Sequence, residues 1–310
     1  MRVAAIDIGT NSVLLLIAER GPTPGGELAP VLERATITRL GRGVDATRTL
    51  DPEAVLRTLA CLADYASEIA RMGVSRVGVV GTSAMRDARG GDDFIARAEA
   101  LLGVAPRVIS GEEEAQLTFV GALSGLGLHG PVVVFDTGGG STEVIRGTAG
   151  AHDVIERSAS LDVGSVRLTE RHVLSDPPAA SELDAARRDA RAALGSLGSG
   201  WAGPSAPLVG VAGTVTTLAA YALEVAPYDA ARVHGARLDA ATLAHATARL
   251  AGIPLVERRA IPTLDPRRAD IIVAGGLIVE EIMAWARADE LLVSDRGVRW
   301  GLAKRLAAGG

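Results

Sequence analysis

The chain has 310 residues, of which 48% are hydrophobic and 22% charged, so one large domain or two ordinary ones can fold without disulfides or structural metal. A net charge of −5 and an aromatic content of 3% argue against a nucleic-acid-binding surface. Lys304 is the only lysine, which excludes a Walker A loop and a kinase-type catalytic lysine. The single cysteine, Cys61, excludes a disulfide framework and lies in an apolar helical run, where it is expected to be a small core residue.

Membrane segments are not expected. No apolar run approaches the roughly 20 residues of a membrane span, and the N-terminus lacks the pattern of a signal peptide. The sequence therefore predicts a cytoplasmic protein with neither membrane nor nucleic acid as a partner.

The first part of the chain has the pattern of a β-hairpin, a third strand and then alternating helices and strands. Predicted strands are 3–8, 13–18, 31–40, 76–80 and 107–109, and predicted helices are 51–72, 92–102 and 112–123. Asp51 is the expected N-cap of the first helix, with Pro52 at its first position. The glycine-rich stretch at 125–130 is typical of a domain junction.

The remaining chain repeats this order. Predicted strands are 132–135, 142–146, 152–158, 208–211 and 291–294, and predicted helices are 164–172, 181–197, 215–223, 240–250, 268–288 and 298–306. Breaker-rich stretches at 21–26 and 199–207 are predicted loops. A hairpin with an Asp-plus-glycine turn, followed by a third strand, thus occurs at 3–38 and again at 132–158. The repeat indicates two α/β domains of similar topology, with sheets covered on both faces.

Three loops share one chemical character, since each follows an apolar strand and combines glycine with hydroxyl side chains. They are residues 7–12, 136–141 and 210–214. Glycine lets backbone N–H groups approach an anion, the hydroxyls add donors, and the helix after the third loop favours phosphate at its N-terminus. Asp7 and Asp136 stand at strand ends, where they can hold Mg²⁺ through water. Together the loops predict a phosphate-binding protein.

The sequence resembles the sugar kinase–heat-shock protein–actin superfamily, and within it the exopolyphosphatase and guanosine pentaphosphate phosphohydrolase (Ppx/GppA) family. The segments that carry the resemblance, in the family's order, are AIDIGTNSVLLLIAE (5–19), GTSAMRDA (81–88), VISGEEEAQLTFVGAL (108–123), VVVFDTGGGSTEV (132–144), GVAGTVTTLAA (210–220), RADIIVAGG (268–276) and VSDRGVRWGL (293–302). The resemblance implies two ribonuclease-H-like (actin-like ATPase) domains with a cleft between them. Their expected ranges are 1–124 plus 299–310, and 125–298.

The resemblance also implies roles for individual residues. The phosphate-binding positions are Gly9, Thr10, Asn11, Ser12, Gly138, Gly139, Gly140, Ser141, Gly213 and Thr214. Arg86 matches an arginine that contacts phosphate, and its guanidinium fork suits phosphate oxygens where no lysine is near. Glu114 matches the catalytic glutamate that positions water, whereas Glu112 and Glu113 are expected to be acids that favour the helix dipole.

Asp7, Asp136 and Glu143 are the expected metal-binding residues, with Mg²⁺ or Mn²⁺ as the ion. For Glu143 a second interpretation, a carboxylate that caps its strand, stays open, and Asp87 is expected to be structural. The five histidines have no HxxxH spacing, which favours core or surface roles over zinc binding.

Several arginines allow two interpretations. Arg42, flanked by glycines, fits either a flexible turn or a substrate contact. The pairs at 187–188, 258–259 and 267–268 fit either solvated faces or the lining of a groove for a polyanion.

The resemblance predicts an enzyme that uses water to release terminal orthophosphate from inorganic polyphosphate. The alternative substrate is guanosine pentaphosphate (pppGpp), which would lose its 5′-γ-phosphate. Long family members carry extra C-terminal helical domains, so this sequence resembles the short form, and short chains are the expected polyphosphate substrate. A homodimer could supply part of a longer channel.

Two other classes stay open. One is a small-molecule kinase of the same superfamily, which the carboxylate at position 114 argues against. The other is a non-catalytic nucleotide or alarmone sensor, which the intact set of Asp7, Arg86, Glu114 and Asp136 argues against.

Overall fold

The computed structural model describes residues 1–21, 28–150, 152–201 and 206–309, so residues 22–26 and 202–205 of the two predicted loops lie outside the described residues. The chain divides into two compact units, Met1–Gly121 with Val298–Gly310, and Ala122–Gly297. Each unit contains one mixed β-sheet with helices, as the α/β expectation required. Within the described ranges, none of the helices combines the length and apolar character that a membrane crossing requires.

The first unit is built on a five-stranded sheet. Its elements are β1 (Arg2–Ile8), β2 (Ser12–Arg20), β3 (Leu28–Ile37), α1 (Val44–Thr47), α2 (Pro52–Arg71), β4 (Arg76–Gly81), α3 (Ser83–Asp87), α4 (Asp92–Leu102), β5 (Arg107–Val108), α5 (Gly111–Ala122) and α13 (Val298–Ala308). The strand order is β3-β2-β1-β4-β5. β1, β2 and β3 are antiparallel neighbours, and β4 and β5 continue the sheet parallel to β1.

Helices cover both faces of this sheet because successive residues of a strand point to opposite sides. Ile6 of β1 belongs to one core with Leu62 of α2. Ala5 belongs to a second core with Trp300 of α13, which is 1% exposed. Cys61 is 5% exposed in the first of these cores, so its expected place in a core is confirmed.

The second unit has a six-stranded sheet. Its elements are β6 (Gly130–Thr137), β7 (Thr142–Ala149), β8 (Val154–Leu161), α6 (Ser165–His172), α7 (Ala180–Gly195), β9 (Leu208–Val211), α8 (Ala212–Ala222), α9 (Ala230–Val233), β10 (Arg237–Asp239), α10 (Ala240–Ala251), α11 (Leu255–Arg259), α12 (Ile272–Ala286) and β11 (Glu290–Val293). The strand order is β10-β11-β9-β6-β7-β8. One large core joins Phe135 of β6 to α6, α7, α8 and α12.

The two sheets share one topology. The order β3-β2-β1-β4-β5 of the first unit matches β8-β7-β6-β9-β11 of the second, including the antiparallel hairpin and the parallel strands that follow. The repeated pattern predicted from sequence is confirmed, and the order is the ribonuclease-H-like arrangement that the resemblance implied. In both units the carboxyl ends of the parallel strands meet at one edge of the sheet.

Some element boundaries differ from the predictions for local reasons. β3 ends at Ile37 instead of residue 40, because residues 38–41 leave the sheet and bond to the first loop. α8 begins at Ala212 instead of residue 215, so Gly213 and Thr214 lie in its first turn. α12 begins at Ile272 instead of residue 268, after a series of turns. The short elements α1, α3, α9, β10 and α11 were not predicted, since three to five residues show no periodicity.

Candidate active site

In the first unit, three predicted site segments start at the same edge of the sheet. Ile8 at the end of β1 lies opposite Gly81 at the end of β4, and Gly81 lies opposite Val108 of β5. The N–H of Thr82 also donates to the carbonyl of Ile8, at 3.2 Å. The first glycine loop, α3 with Arg86 and α5 with Glu114 therefore begin side by side.

The first glycine loop leaves polar groups without protein partners. The loop closes through the N–H of Gly9, which donates to the carbonyl of Ser12 at 3.0 Å. Asn11 is 7% exposed, and neither atom of its side-chain amide has a hydrogen-bond partner in the described part of the chain. Because buried polar groups in native proteins are nearly always bonded, the Asn11 amide is available to a ligand.

Residues 38–41 support this loop from behind. The N–H groups of Thr38 and Arg39 both donate to the carbonyl of Asn11, at 3.1 and 3.0 Å. The N–H of Gly41 donates to the carbonyl of Thr10 at 2.8 Å, and a side chain at position 41 would overlap the methyl group of Thr10. Glycine is therefore needed at position 41, next to Arg42, because its backbone lies against Thr10. The sequence pattern did not reveal this contact.

Arg86 and Glu114 form an ion pair. Nη1 of Arg86 donates to Oε2 of Glu114 at 2.9 Å and to the carbonyl of Ile109 at 3.1 Å. Glu114 is 6% exposed, whereas the Arg86 side chain is 27% exposed. Arg86 belongs to α3 and not to the loop expected from sequence, and the turn of helix orients its guanidinium towards α5.

Burial raises the pKa of the Glu114 carboxyl above its ordinary value, because desolvation disfavours the charged form. The Arg86 guanidinium lowers the pKa in part, and the negative charge of Asp87 raises it further. A carboxylate with a raised pKa accepts a proton more readily at neutral pH, which suits a general base.

The two neighbouring acids have different surroundings. Glu112 is exposed. Glu113 bonds to Arg107 and to Arg305, each at 2.6 Å, and these partners hold its pKa at about 2. Of the three consecutive glutamates, Glu114 alone is buried, so the three side chains differ by environment and not by type.

In the second unit, the second and third loops meet at the corresponding edge. Asp136 near the end of β6 lies opposite Val211 at the end of β9. The second loop closes as the first does, through the N–H of Gly138 and the carbonyl of Ser141 at 3.0 Å. In the third loop, the Arg268 guanidinium occupies the space that a side chain at position 213 would fill.

The second loop presents a row of amide donors. Gly139, Gly140 and Ser141 are buried, yet their backbone N–H groups donate no hydrogen bond within the described part of the chain. Consecutive amides that point into one concavity form an anion-binding nest. We call the three N–H groups of residues 139–141 the amide nest.

The turn before α6 packs directly on this loop. Gly164 has extended backbone, and a Cβ at that position would lie against the backbone of Gly139 and Gly140. The N–H of Ser165 donates to the carbonyl of Gly138 at 3.0 Å, which holds the two segments together. The close approach therefore requires glycine at position 164.

Replacing Gly164 with alanine is expected to destabilise the second unit by about 1–3 kcal/mol, the usual cost of overpacking, and to raise KM for a phosphate substrate. The matched control is Gly195→Ala, because position 195 has open space and lies at the end of α7. Denaturant midpoints and KM values of the two variants check this result. Equal stability of both variants would contradict the contact.

The expected metal-binding carboxylates fit a divalent ion. Asp7 is 9% exposed, at the end of β1. Asp136 lies opposite Glu143 across the β6–β7 hairpin, and Glu143 is 1% exposed and accepts from Ser160 Oγ at 2.7 Å. Two carboxylates placed opposite each other repel unless a cation compensates them. No three His, Cys, Asp or Glu side chains converge within the described residues, and Mg²⁺ commonly completes its shell with water and phosphate oxygens.

Sequence reasoning missed two charged residues at the edge of the second unit. Arg167 is buried behind the second loop. The Asp295 side chain is 7% exposed, with Oδ1 3.1 Å from Nδ1 of His234, and Gly297 lies near Oδ2 of Asp136. The motif around 293–302 was noted for its resemblance, but nothing in it indicated that Asp295 pairs with a histidine 61 positions earlier in the sequence.

The two sheets repeat one ribonuclease-H-like α/β topology, and in each a glycine loop joins the first two strands. The profile of the Ppx/GppA phosphatase family matches residues 17–308, and the chain belongs to that family. The family expected from the sequence motifs is confirmed.

Similar proteins cover the chain almost completely. Exopolyphosphatase 2 of Mycobacterium tuberculosis is 44% identical over 325 aligned positions, covering 99% of this chain and 98% of the relative. The crystal structure of the Aquifex aeolicus member of the Ppx/GppA family superposes with a TM-score of 0.82 at 34% identity, covering 100% of this chain and 99% of that one. An exopolyphosphatase from Cytophaga hutchinsonii, at 23% identity, shares the fold with a TM-score of 0.89 over 100% of this chain and 98% of its own.

Proposed function

We propose that this protein is an exopolyphosphatase that hydrolyses the terminal phosphoanhydride bond of inorganic polyphosphate and releases orthophosphate. Family membership and the nearly full-length similarity to the mycobacterial exopolyphosphatase support the reaction class. The observation that carries the proposal is the buried Glu114 carboxylate, held by Arg86 at the sheet edge from which the first glycine loop also begins.

Glu114 is the proposed general base. In the reaction, a water oxygen forms a bond to the terminal phosphorus while the bridging P–O bond breaks. Glu114 accepts the proton that the water loses, and the shortened chain leaves with the electron pair of the broken bond. The raised pKa of Glu114 supports this role, because burial strengthens the carboxylate as a base.

Donors around the phosphoryl oxygens are the other requirement of the reaction, since catalysis of phosphoryl transfer depends mainly on positioning and charge stabilisation. In the first unit, Arg86 and the Asn11 amide are the proposed donors, with Gly9, Thr10 and Ser12 shaping the loop. Arg86 would thus have two tasks, to orient Glu114 and to contact phosphate.

In the second unit, the amide nest of residues 139–141 is the proposed binding site for phosphate oxygens. Its three N–H groups are buried donors without a protein partner in the described chain, which supports the assignment. Gly213 and Thr214, in the first turn of α8, are proposed to contribute donors at the positive end of that helix.

The proposed metal is Mg²⁺, and the proposed metal-binding residues are Asp7 of the first unit and, in the second unit, Asp136 and Glu143. When bound, Mg²⁺ would neutralise charge on the phosphate oxygens. Glu143 keeps its bond from Ser160 Oγ on Oε1, which orients its carboxylate.

Removal of divalent ions with EDTA is expected to abolish phosphate release, and Mg²⁺ is expected to restore it. Asp136→Asn should raise the Mg²⁺ concentration needed for half-maximal activity, because one carboxylate of the pair loses its charge. Asp184→Asn, on the exposed face of α7, is the matched control and should leave the Mg²⁺ dependence unchanged. Full activity in EDTA would contradict the proposed metal.

The test of the function is phosphate release from tripolyphosphate, from longer polyphosphate, from pppGpp and from ATP under identical conditions. We expect release from polyphosphate, with pppGpp as the alternative substrate of the same machinery. If neither polyphosphate nor pppGpp is hydrolysed while ATP phosphorylates a small acceptor, the protein is a kinase and the proposal is wrong. Binding of pppGpp without hydrolysis of any substrate would make it a sensor.

A further inference from the structure

Arg167 carries a charged side chain that is buried in the second unit. It lies in the first turn of α6, and its side chain is 5% exposed. Its Nη2 is 3.8 Å from Oδ1 of Asp162, a carboxylate whose side chain is 85% exposed. Burying a guanidinium is costly unless hydrogen bonds and ion pairs compensate for its lost hydration, so a buried arginine must be bonded within the fold.

One bond of the Arg167 side chain is to the backbone of the second glycine loop. Nε of Arg167 donates to the carbonyl of Gly140 at 2.6 Å. The two preceding carbonyls are bound by the backbone of the same helix turn: Gly138 by the N–H of Ser165, and Gly139 by the N–H groups of Val166 and Arg167 at 2.9 and 3.1 Å. Three consecutive carbonyls therefore point to α6, and the third is held there by the Arg167 side chain.

Peptide planarity converts this arrangement into a constraint on the amide nest. In a trans peptide, the carbonyl of one residue and the N–H of the next point in opposite directions. Holding the carbonyls of Gly138, Gly139 and Gly140 towards α6 therefore turns the N–H groups of Gly139, Gly140 and Ser141 away from α6. Glycine permits many backbone conformations, so the peptide between Gly140 and Ser141 needs a fixed partner to keep this orientation.

We propose that Arg167 is a positioning residue that presets the amide nest for phosphate binding by holding the peptide between Gly140 and Ser141 in one orientation. Its positive charge, directly behind the nest, strengthens the attraction for an anion on the other side. The inference deepens the proposed function, since it concerns the same phosphate site. It predicts that replacing Arg167 raises the Kd for phosphate more than any accompanying loss of folding stability would explain.

The first experiment measures the Kd of tripolyphosphate with Mg²⁺ by calorimetry, in a Glu114→Gln background that suppresses turnover. Arg167→Met and Arg167→Lys are expected to raise Kd by about tenfold or more, the range for a hydrogen bond that involves a charged group. Arg171→Met, one turn further along α6 with a side chain 37% exposed, is the matched control and should leave Kd unchanged. Denaturant midpoints are measured on the same samples.

The second experiment separates positioning from stability. Arg167→Ala leaves a cavity shaped for guanidinium, so guanidinium ions at low, non-denaturing concentration are expected to restore much of the lost affinity. Methylammonium, which carries the same charge but lacks the planar shape that fills the guanidinium cavity, is the control and should restore less affinity. The NMR chemical shifts of the backbone amides of residues 139–141 should change when tripolyphosphate is added to the Glu114→Gln protein. The changes should be far smaller when Arg167→Met is also present.

The outcomes distinguish the inference from the proposed function. Unchanged Kd in Arg167→Met and Arg167→Lys, with or without a lower denaturant midpoint, overturns the inference and leaves Arg167 a structural residue. Affinity that guanidinium does not restore overturns it as well. If the Glu114→Gln protein binds tripolyphosphate and loses affinity with Arg167→Met, but the wild type releases no phosphate, the proposed function fails while the inference stands. Absence of tripolyphosphate binding in the wild type overturns both.

Discussion

Glu114→Gln is expected to lower kcat for tripolyphosphate by about 10²- to 10⁴-fold, the usual contribution of a positioned base. Glutamine keeps an oxygen that can accept the bond from Nη1 of Arg86, so the local geometry should persist while the proton acceptor is lost. KM should change far less than kcat, because the proposed phosphate donors are untouched. Steady-state phosphate release, measured across pH, checks both values.

Glu112→Gln is the matched control for this substitution. It makes the same chemical change two residues away, on an exposed side chain of the same helix turn. We expect its kcat to stay near the wild-type value. If Glu114→Gln keeps full activity, the base is another group, even though the family assignment stands.

Stability should respond to Glu114→Gln in the opposite sense to activity. The folded pKa of Glu114 is raised above its ordinary value, mainly by burial. For such a group the protonated form favours the folded state, so its stabilising contribution is present below the ordinary pKa and is lost as pH rises through the folded pKa. The wild type should therefore lose stability relative to Glu114→Gln as pH rises above the ordinary glutamate range. Denaturation midpoints from pH 4 to pH 8 test this trend.

Arg86→Ala is expected to lower both activity and stability. It removes the partner of a buried carboxylate and the proposed phosphate contact in one change. We expect kcat/KM to fall by at least about 10²-fold. We also expect stability to fall by about 3 kcal/mol, the low end for breaking a buried pair, since the Arg86 side chain is 27% exposed. Arg97→Ala removes an exposed pair with Asp93 at 3.4 Å and is the control, with an expected cost below about 1 kcal/mol.

The pH–rate profile separates the two roles of Arg86. The Arg86 guanidinium lowers the pKa of Glu114, so its removal should move the acid limb of kcat to higher pH. Asp87→Asn should move the same limb to lower pH, because the charge of Asp87 raises that pKa. Shifts in opposite directions would identify Glu114 as the titrating base, and an acid limb that neither variant moves would exclude it.

Much of the fold followed from local sequence patterns. The hairpins of β1–β2 and β6–β7 were predicted because apolar strands flank a polar turn with glycine. The α2 helix was predicted from Asp51, whose Oδ1 accepts from the N–H of Ala54 at 2.8 Å, and from Pro52 at the first helical position. Such signals work because a turn or a cap involves residues close in the sequence.

The features that the sequence did not predict, among them α3 and the burial of Arg167, lack such local signals. α3, which carries Arg86, has five residues and no periodicity, and it forms where the N–H groups of Met85 and Arg86 both bond the carbonyl of Thr82. In the sequence, Arg167 has the pattern of an ordinary surface arginine on an amphipathic helix. Its side chain bonds to a glycine 27 residues earlier, and only the packing of the start of α6 on the loop between β6 and β7 brings the two together.

The sequence by itself determined the family and the duplicated α/β pattern, and it predicted the chemistry of the site from glycine loops, carboxylates at strand ends and arginine in place of lysine. These are properties of residue type and near-neighbour order. Only the tertiary structure decided which of three consecutive glutamates is buried, that Arg86 pairs with it across 28 residues, and that three glycine-loop carbonyls turn towards α6. Desolvation, ion pairing and the direction of a flexible peptide depend on groups that are distant in sequence and become neighbours when parallel strands end at a common edge.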